Sequence, residues 1–419
     1  MNIREAAVEI IQRVMMGGYL NLTLNSYLEK YDFSKTDGAL LTRIVYSVMT
    51  HRLTLEYGMK EVIEGKKLKP YEKAVLLCGY CQMVYFDRIP DYAIINESVA
   101  LVKKKRGKQA AGFINALLRQ LVIRKEIVID VANELDYFSI HYSQPLWLVK
   151  MLFKQYGKDE ALKIFEAFQK TPPLTARLNT LKASKEEVMQ TYPKIKAGKL
   201  ADNSLFFPFG NIANHLLFKE GKVSVQDEAS QKVAEFLDVK PHMRVLDMCA
   251  APGSKTTHLA MLMENTGSIH AYDIHEHKIA LIKKNAERLG CTNIQAKAYD
   301  ATRLDEIEAL ESFDAILLDG PCSGLGVLGR KPEIRYHDSS VMDELIKTQS
   351  KLLKTAEKLL KNGGILVYST CTLNKKENEK NIERFMEDCP MMYKEEEQTI
   401  LPYTYQSDGF YMVKLVKRK

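Results

Sequence analysis

Two cysteines near the C-terminal end of the chain carry its most specific chemistry. Cys322 lies in Asp319-Gly320-Pro321-Cys322-Ser323-Gly324 and Cys371 in Ser369-Thr370-Cys371-Thr372. Each follows a short apolar run, Ala315 to Leu318 and Gly364 to Tyr368, of the kind that forms a buried strand of an α/β sheet. Ligands of open α/β sheets sit outside the carboxyl ends of the strands. Both thiols therefore fall on the rim where chemistry is done. Two thiols at neighbouring strand ends suit a reaction that forms a covalent bond and then breaks it.

The elements that must position them follow a βαβ rhythm from Gln226 onward. The pattern predicts a helix over 226–237 and strands at Arg244 to Asp247, Ser268 to Ile274, Ile294 to Ala298, 313–318 and 364–369. Helices at 275–289, 340–361 and 375–388 intervene. Phe410 to Val416 alternates as an antiparallel edge strand would. Strands alternating with helices of this length imply a mostly parallel, doubly wound sheet.

Asp247-Met248-Cys249-Ala250-Ala251-Pro252-Gly253-Ser254-Lys255-Thr256-Thr257 joins the first of these strands to a helix. Small residues and a glycine let backbone N–H groups approach a ligand at the helix N-terminus. The loop has too few glycines for the dinucleotide fingerprint, and Ser254 separates Gly253 from Lys255, which breaks the P-loop pattern. Nicotinamide and nucleoside-triphosphate chemistry are disfavoured. Asp273 ends the second strand, where a carboxylate can take both ribose hydroxyls of an adenosine. Asp300 ends the third and could meet an adenine amino group. One such acid reads equally well as a helix cap. Three acids ending successive strands fit a nucleoside cofactor with little phosphate, such as S-adenosylmethionine.

Upstream, residues 1–125 read as six or seven short helices, with apolar residues three and four apart in Ala6-Ala7, Ile10-Ile11, Val14 and in Leu40-Leu41, Ile44-Val45, Val48. Two further helices follow, one opened by Pro145 and one over 158–170, and 175–225 mixes short strands with a helix. The expected organisation is a helical domain over 1–126, a helical linker with a small α+β module over 127–225, and the α/β domain over 226–419.

Charge is unevenly placed along the 419 residues. Residues 1–126 hold 20 Lys and Arg against 13 Asp and Glu, which is the whole net charge of +7, with a peak at Lys103-Lys104-Lys105-Arg106. That run is either a solvated helix end or a face for phosphates. Arg330 and Arg335, just beyond the Pro-Cys segment, read as part of a solvated loop or as further phosphate contacts. No apolar stretch is long enough to span a bilayer, and the charged N-terminus is unlike a signal peptide. Seven cysteines in this length do not make a disulfide framework, so a cytoplasmic location is expected. Cys78 and Cys81 have CxxC spacing but no second pair to complete a zinc site, and no metal is expected.

DMCAAPGSKT, Asp273, DGPCSG and STCT followed by Glu377-Asn378-Glu379 resemble the RNA cytosine-5 methyltransferase family over residues 220–419. The helical block resembles the NusB-type RNA-binding fold carried by the RsmB (Sun/Fmu) group of bacterial 16S rRNA methyltransferases. Tyr142 to Trp147 and Val225 to Ser230 are also similar to that group. The resemblance implies a multidomain protein with an all-α NusB-like N-terminal domain, a small α+β middle module and a C-terminal Rossmann-like class I methyltransferase domain. Its cofactor would be S-adenosylmethionine, held by Cys249, Ala250, Ala251, Pro252, Gly253, Ser254, Lys255, Asp273, Asp300 and Asp319. Cys371 would be the nucleophile, Cys322 the partner in product release, Asp319 the contact to the cytosine ring, and Lys255 the residue that orients Asp319. The substrate would be one cytidine of 16S rRNA in an unassembled or partly assembled small subunit, and the protein a monomer. A tRNA or 23S rRNA substrate stays open, as does a non-catalytic RNA-binding assembly factor. An adenine-N6 or cytosine-N4 methyltransferase would carry an Asn/Asp-Pro-Pro-aromatic motif and need no thiol, and DGPCSG does not match it. Gly320 stands where the family usually has alanine, a change of one methyl expected to matter little.

Overall fold

The structure, a computed structural model, describes residues 1–208 and 210–418. The chain forms two units: residues 1–170 with 328–337, and residues 171–327 with 338–419.

The first unit is helical. Its elements are α1 (Ile3–Met15), α2 (Leu20–Lys30), α3 (Lys35–Thr50), α4 (Arg52–Ile63), α5 (Pro70–Tyr85), α6 (Asp91–Arg106), α7 (Lys108–Val122), α8 (Glu134–His141), α9 (Leu146–Tyr156) and α10 (Lys158–Phe168). Asn2 and Ser34 cap α1 and α3 by accepting from backbone N–H groups of the first turn. Helix α5 is buried on all sides from Ala74 to Met83, which marks it as the centre of the bundle. Cys78 and Cys81 lie within that buried span, so their spacing serves packing. Burial alone pushes the Cys78 thiol up to about 12.

Helices α8–α10 belong to this unit, so the chain divides at 170/171, inside the region read from sequence as one middle domain. The cause is a set of specific bonds. Ser143 Oγ accepts from Leu53 N at the start of α4 (2.8 Å), Thr54 Oγ1 donates to Ile140 O (2.5 Å), and Tyr57 OH donates to Asp130 O (3.1 Å).

Residues 328–337 are packed into the same unit although they follow the Pro-Cys segment in sequence. Glu333, 1% exposed, accepts from Leu20 N at 2.9 Å and so serves α2 as an N-terminal partner. Arg335 is fully buried and donates to Ser143 O and Leu328 O, both at 3.2 Å. Tyr336 OH donates to Met49 O at 3.1 Å. This corrects the sequence-based expectation for Arg335. A guanidinium with no exposed surface, committed to two carbonyls, is a strut of the helical unit and not a phosphate contact. Arg330, in the same segment, is half-buried.

The second unit begins with β1 (Thr175–Leu178), α11 (Lys185–Thr191), β2 (Lys196–Ala197), β3 (Ser204–Phe206), α12 (Leu216–Lys219) and β4 (Val223–Val225). These strands form an antiparallel sheet in the order β2-β3-β1-β4. There follow α13 (Glu228–Leu237), β5 (Arg244–Asp247), α14 (Ser254–Leu262), β6 (Ser268–Asp273), α15 (Glu276–Leu289), β7 (Ile294–Ala298), β8 (Phe313–Asp319), α16 (Val341–Leu359), β9 (Leu360–Thr370), α17 (Glu379–Asp388), β10 (Met392–Ile400), α18 (Pro402–Tyr405) and β11 (Phe410–Lys417). The large sheet runs β10-β11-β9-β8-β5-β6-β7, parallel from β9 to β7 and antiparallel at β10 and β11. Rossmann-like topology is thus present, with a mixed sheet. Strand β11 is antiparallel as expected but is not the edge; β10, whose Lys394 to Glu397 stretch is too charged to read as a strand, covers it.

The module of β1–β4 is bonded to the part that carries the large sheet. Arg177, 1% exposed, donates to Gln226 Oε1 (2.7 Å), to Ser254 O (2.5 Å) and to Thr257 Oγ1 (3.0 Å) at the start of α14. Asn179 Nδ2 donates to Leu289 O at the end of α15 (2.8 Å).

Candidate active site

The carboxyl ends of β5, β6, β8 and β9 carry Asp247, Asp273, Asp319 and Thr370, with Cys371 one residue beyond. In the parallel register of β8 and β9, Asp319 pairs with Ser369. Ser369 Oγ donates to Asp319 Oδ1 (2.8 Å) and Lys255 Nζ donates to Oδ2 (2.7 Å), so both oxygens are held. The Lys255 ammonium also lies over the Phe410 ring, 5.0 Å from its centroid. Lys255 reaches Asp319 from the first turn of α14, which ties the cofactor loop to the thiol rim.

Cys322 and Cys371 come together with their sulfurs 3.4 Å apart. The hydrogen bond to Cys371, then burial, then the nearby Glu377 carboxylate hold the Cys322 thiol well above its ordinary range. Gly326 N donates to Cys371 O (2.9 Å), and its carbonyl accepts from Gly409 N (2.8 Å). A Cβ at Gly326 would overlap the Gly409 carbonyl and lie 2.8 Å from Cys371 O, so only glycine fits this crossing of loops. At Gly320 a Cβ would meet the Tyr368 ring at 3.2 Å, so alanine needs a shift of only a few tenths of an ångström.

At the other end, the loop from Met248 to Gly253 turns sharply. Ala250 N donates to Tyr272 O (2.8 Å), Gly253 N donates to Ala250 O (2.7 Å), and Gly253 has φ +96°. Asp273, 9% exposed, accepts from His275 N (3.0 Å) and pairs with Lys278 at 3.5 Å. Asp300 Oδ1 accepts from Thr302 N (2.9 Å) and Thr302 Oγ1 (2.8 Å), capping the short 3-10 turn at Ala301–Glu306. Cys249 is half-buried; desolvation first, and then the Asp247, Asp319 and Asp273 carboxylates, push its thiol far up.

Asp247 tests whether this end fits a cationic cofactor. It is 1% exposed; Thr256 Oγ1 donates to its Oδ2 (2.7 Å), while Oδ1 makes no hydrogen bond of good geometry. Burial, with the Asp319 charge adding to it, raises the Asp247 carboxyl to about 7. A buried carboxyl with an oxygen short of good hydrogen bonds, beside a backbone turn and two further acids, fits a positively charged nucleoside with little phosphate. It would repel a nucleoside phosphate.

Four expected RNA contacts sit at the end of α6. Lys104 pairs with Glu5 (2.9 Å), Lys105 with Glu9 (3.1 Å) and Arg106 with Glu72 (3.7 Å). Three of the four are therefore paired with acids of α1 and α5, while the Lys104 and Lys105 side chains stay 70% and 46% exposed. Among the described residues, no helix is long and apolar enough to cross a membrane, and no group of three or more His, Cys, Asp or Glu could hold a metal ion.

Several site residues escape sequence reasoning. Glu377, Asn378 and Gln349 are all fully buried around the two cysteine segments. Only the motif that follows STCT hints at the first two; nothing in the sequence marks Gln349.

Comparison with known proteins covers the whole chain. A family model described as 16S rRNA methyltransferase RsmB/F matches residues 234–416, the NusB family matches 1–122, and an RsmF/B-like ferredoxin-like domain matches 144–195. A probable ribosomal RNA small subunit methyltransferase B from Bacillus subtilis (strain 168) is 35% identical over 100% of this chain and 99% of its own length. A protein of the same description from Synechocystis sp. is 33% identical over 95% of each chain. The crystal structure of a methyltransferase homologue from Pyrococcus horikoshii superimposes with a TM-score of 0.61 at 28% identity, over 69% of this chain and 100% of that one.

Proposed function

The chain belongs to the RsmB/F family of 16S rRNA methyltransferases, and on that premise we propose that it methylates carbon 5 of one cytidine in 16S rRNA through a covalent cysteine adduct. It is an S-adenosylmethionine-dependent methyltransferase. The observation that carries the proposal is the pair of sulfurs 3.4 Å apart at the end of β9, beside an Asp319 carboxylate held by Lys255 and Ser369.

The chemistry explains why such a pair is needed. Carbon 5 of cytosine is a weak nucleophile. The Cys371 thiolate adds to carbon 6, and the electron pair of the 5,6 double bond becomes available at carbon 5. Asp319, fixed at both oxygens, meets N3 and the exocyclic amino group and stabilises the protonated adduct. When bound, S-adenosylmethionine supplies a methyl group activated by a sulfonium. Once carbon 5 is methylated, transfer of its proton to a water molecule restores the 5,6 double bond as the carbon 6–sulfur bond breaks and the Cys371 thiolate leaves. Cys322 stands at the departing sulfur and assists release. The loop 249–254, Lys255, Asp273, Asp300 and Asp319 line the cofactor side.

The target base must leave its stack to reach this rim, so an unpaired cytidine is the substrate. The helical domain supplies RNA affinity, the substrate is rRNA not yet fully assembled into the small subunit, and the chain acts as a cytoplasmic monomer. Methyl transfer from labelled S-adenosylmethionine to purified 16S rRNA, 23S rRNA and tRNA, with mass analysis of the nucleoside, tests the proposal. The expected product is 5-methylcytidine in 16S rRNA alone. Label in another RNA, or in another nucleoside, overturns it.

A further inference from the structure

Each cysteine is held by its flanking residues, and the two sets of bonds meet at one dipeptide. Glu377 is fully buried yet accepts four hydrogen bonds. Its Oε2 takes Ser323 N (2.9 Å) and Gln349 Nε2 (3.2 Å), and its Oε1 takes Ser323 Oγ (2.5 Å) and Asn374 Nδ2 (3.0 Å). Gln349 Nε2 also donates to Pro321 O (2.8 Å). The residues on both sides of Cys322 are thus gripped by Glu377 and its partner Gln349. The next residue, Asn378, grips Cys371 in the same way: Thr370 Oγ1 donates to its Oδ1 (2.6 Å), and its Nδ2 donates to Thr372 O (2.9 Å). The Tyr368 hydroxyl donates to Glu377 O (2.8 Å), fixing the dipeptide to β9.

We infer that Glu377 and Asn378 are positioning residues with separate duties, Glu377 setting the release thiol Cys322 and Asn378 setting the attacking thiol Cys371. The assignment of those two duties rests on the proposed function; the pairing of each clamp with its own cysteine does not. A carboxylate buried against four donors is costly to build for packing alone. Its chemistry is specific. Four donors require two acceptor oxygens, so a glutamine at 377 would turn an N–H group on one pair of donors, and the Cys322 loop would shift. Displacement of a reacting group by about an ångström costs on the order of 10²-fold in rate.

The test compares Glu377→Gln and Asn378→Ala with Cys322→Ala and Cys371→Ala in the full-length protein. The readouts are multiple-turnover methylation, single-turnover methyl transfer and RNA–protein adduct on denaturing gels. Glu377→Gln should follow Cys322→Ala, keeping single-turnover transfer and accumulating adduct while multiple turnover falls on the order of 10²-fold. Asn378→Ala should follow Cys371→Ala, losing single turnover and adduct together. Accumulated adduct is a gain of signal that partial unfolding cannot produce. Two milder changes guard against failure to fold. Ser323 Oγ also bonds Thr372 Oγ1 (2.8 Å), beside Cys371, so the milder change on the Cys322 side is Gln349→Met, which removes the donor to Glu377 and Pro321. Thr370→Val removes one donor from Asn378, and each should move its clamp's readouts in the same direction by roughly five- to tenfold, the scale of one or two lost hydrogen bonds. Wild-type turnover in the milder pair and in whichever clamp variants fold overturns the inference, and so does Glu377→Gln behaving like Cys371→Ala. If Cys371→Ala traps the adduct instead, the roles of the thiols fall, while the clamp inference stands only if Glu377→Gln still follows Cys322→Ala.

Discussion

Lys255 Nζ lies 2.7 Å from Asp319 Oδ2, joining the first turn of α14 to the end of β8. The loop before α14 and the thiol rim are therefore linked directly on the carboxyl edge of the sheet. Lys255→Met should remove the cation while keeping the side chain's length. The expected result is a fall in kcat on the order of 10²-fold with little change in S-adenosylmethionine affinity. Single-turnover kinetics alongside calorimetry would separate the two.

Asp273→Ala should weaken S-adenosylmethionine binding by about 1.5–3 kcal/mol, the scale of lost charge-assisted hydrogen bonds. That is roughly ten- to hundredfold in Kd. Calorimetry on the free enzyme measures it, and unchanged affinity would remove Asp273 from the ribose site.

Asp247 gives the binding reaction a pH dependence. Its carboxyl titrates at about 7 in the folded protein against an ordinary 3.8. A cation seated against it favours the carboxylate, so cofactor binding should release a proton and tighten as pH rises toward about 7, then level off. The ligand-free fold should show the reverse trend. Between the two pKa values the unfolded chain is ionised here and the folded one protonated, so stability falls as pH rises through that window. Calorimetry in buffers of different ionisation enthalpy would detect the proton, and Asp247→Asn should abolish its release.

Arg335→Ala should destabilise the helical unit on the order of 3 kcal/mol, because it strips two charged hydrogen bonds from a fully buried site. Thermal unfolding would show it as a lower Tm. RNA binding below that temperature should keep its salt dependence, since each lost phosphate contact would flatten the slope by about 0.7. Reversal of Lys103, Lys104, Lys105 and Arg106 should by contrast flatten the slope, because Lys104 and Lys105 stay open to phosphate beside Glu5 and Glu9 and reversal sets acid against acid there.

How far the chain can be read without its structure follows from where each feature gets its meaning. The two cysteines and Asp319 are legible because apolar runs announce β8 and β9 and sheet topology dictates where their ends lie. Asp273 is legible for the same reason, through β6. Glu377 and Asn378 enter only through the family resemblance, and their roles are hidden because Asn374-Lys375-Lys376-Glu377-Asn378-Glu379-Lys380 has the composition of a solvated loop. Their burial comes from Ser323, Gln349 and Thr370, which are distant in sequence. Arg335 misleads in the same way. Its neighbours Arg330 and Lys331 suggest a basic surface, yet it packs against Ser143, nearly two hundred residues away. Strand β10 is hidden by its own surface charge.

The central claim is that Cys371, not Cys322, bonds to the base. The complex trapped by Cys322→Ala can be digested with protease and nuclease and its peptides weighed. A cytidine nucleotide on the peptide bearing Cys371 is the predicted result. A nucleotide on any other residue, or full methylation by Cys371→Ala, would contradict the account.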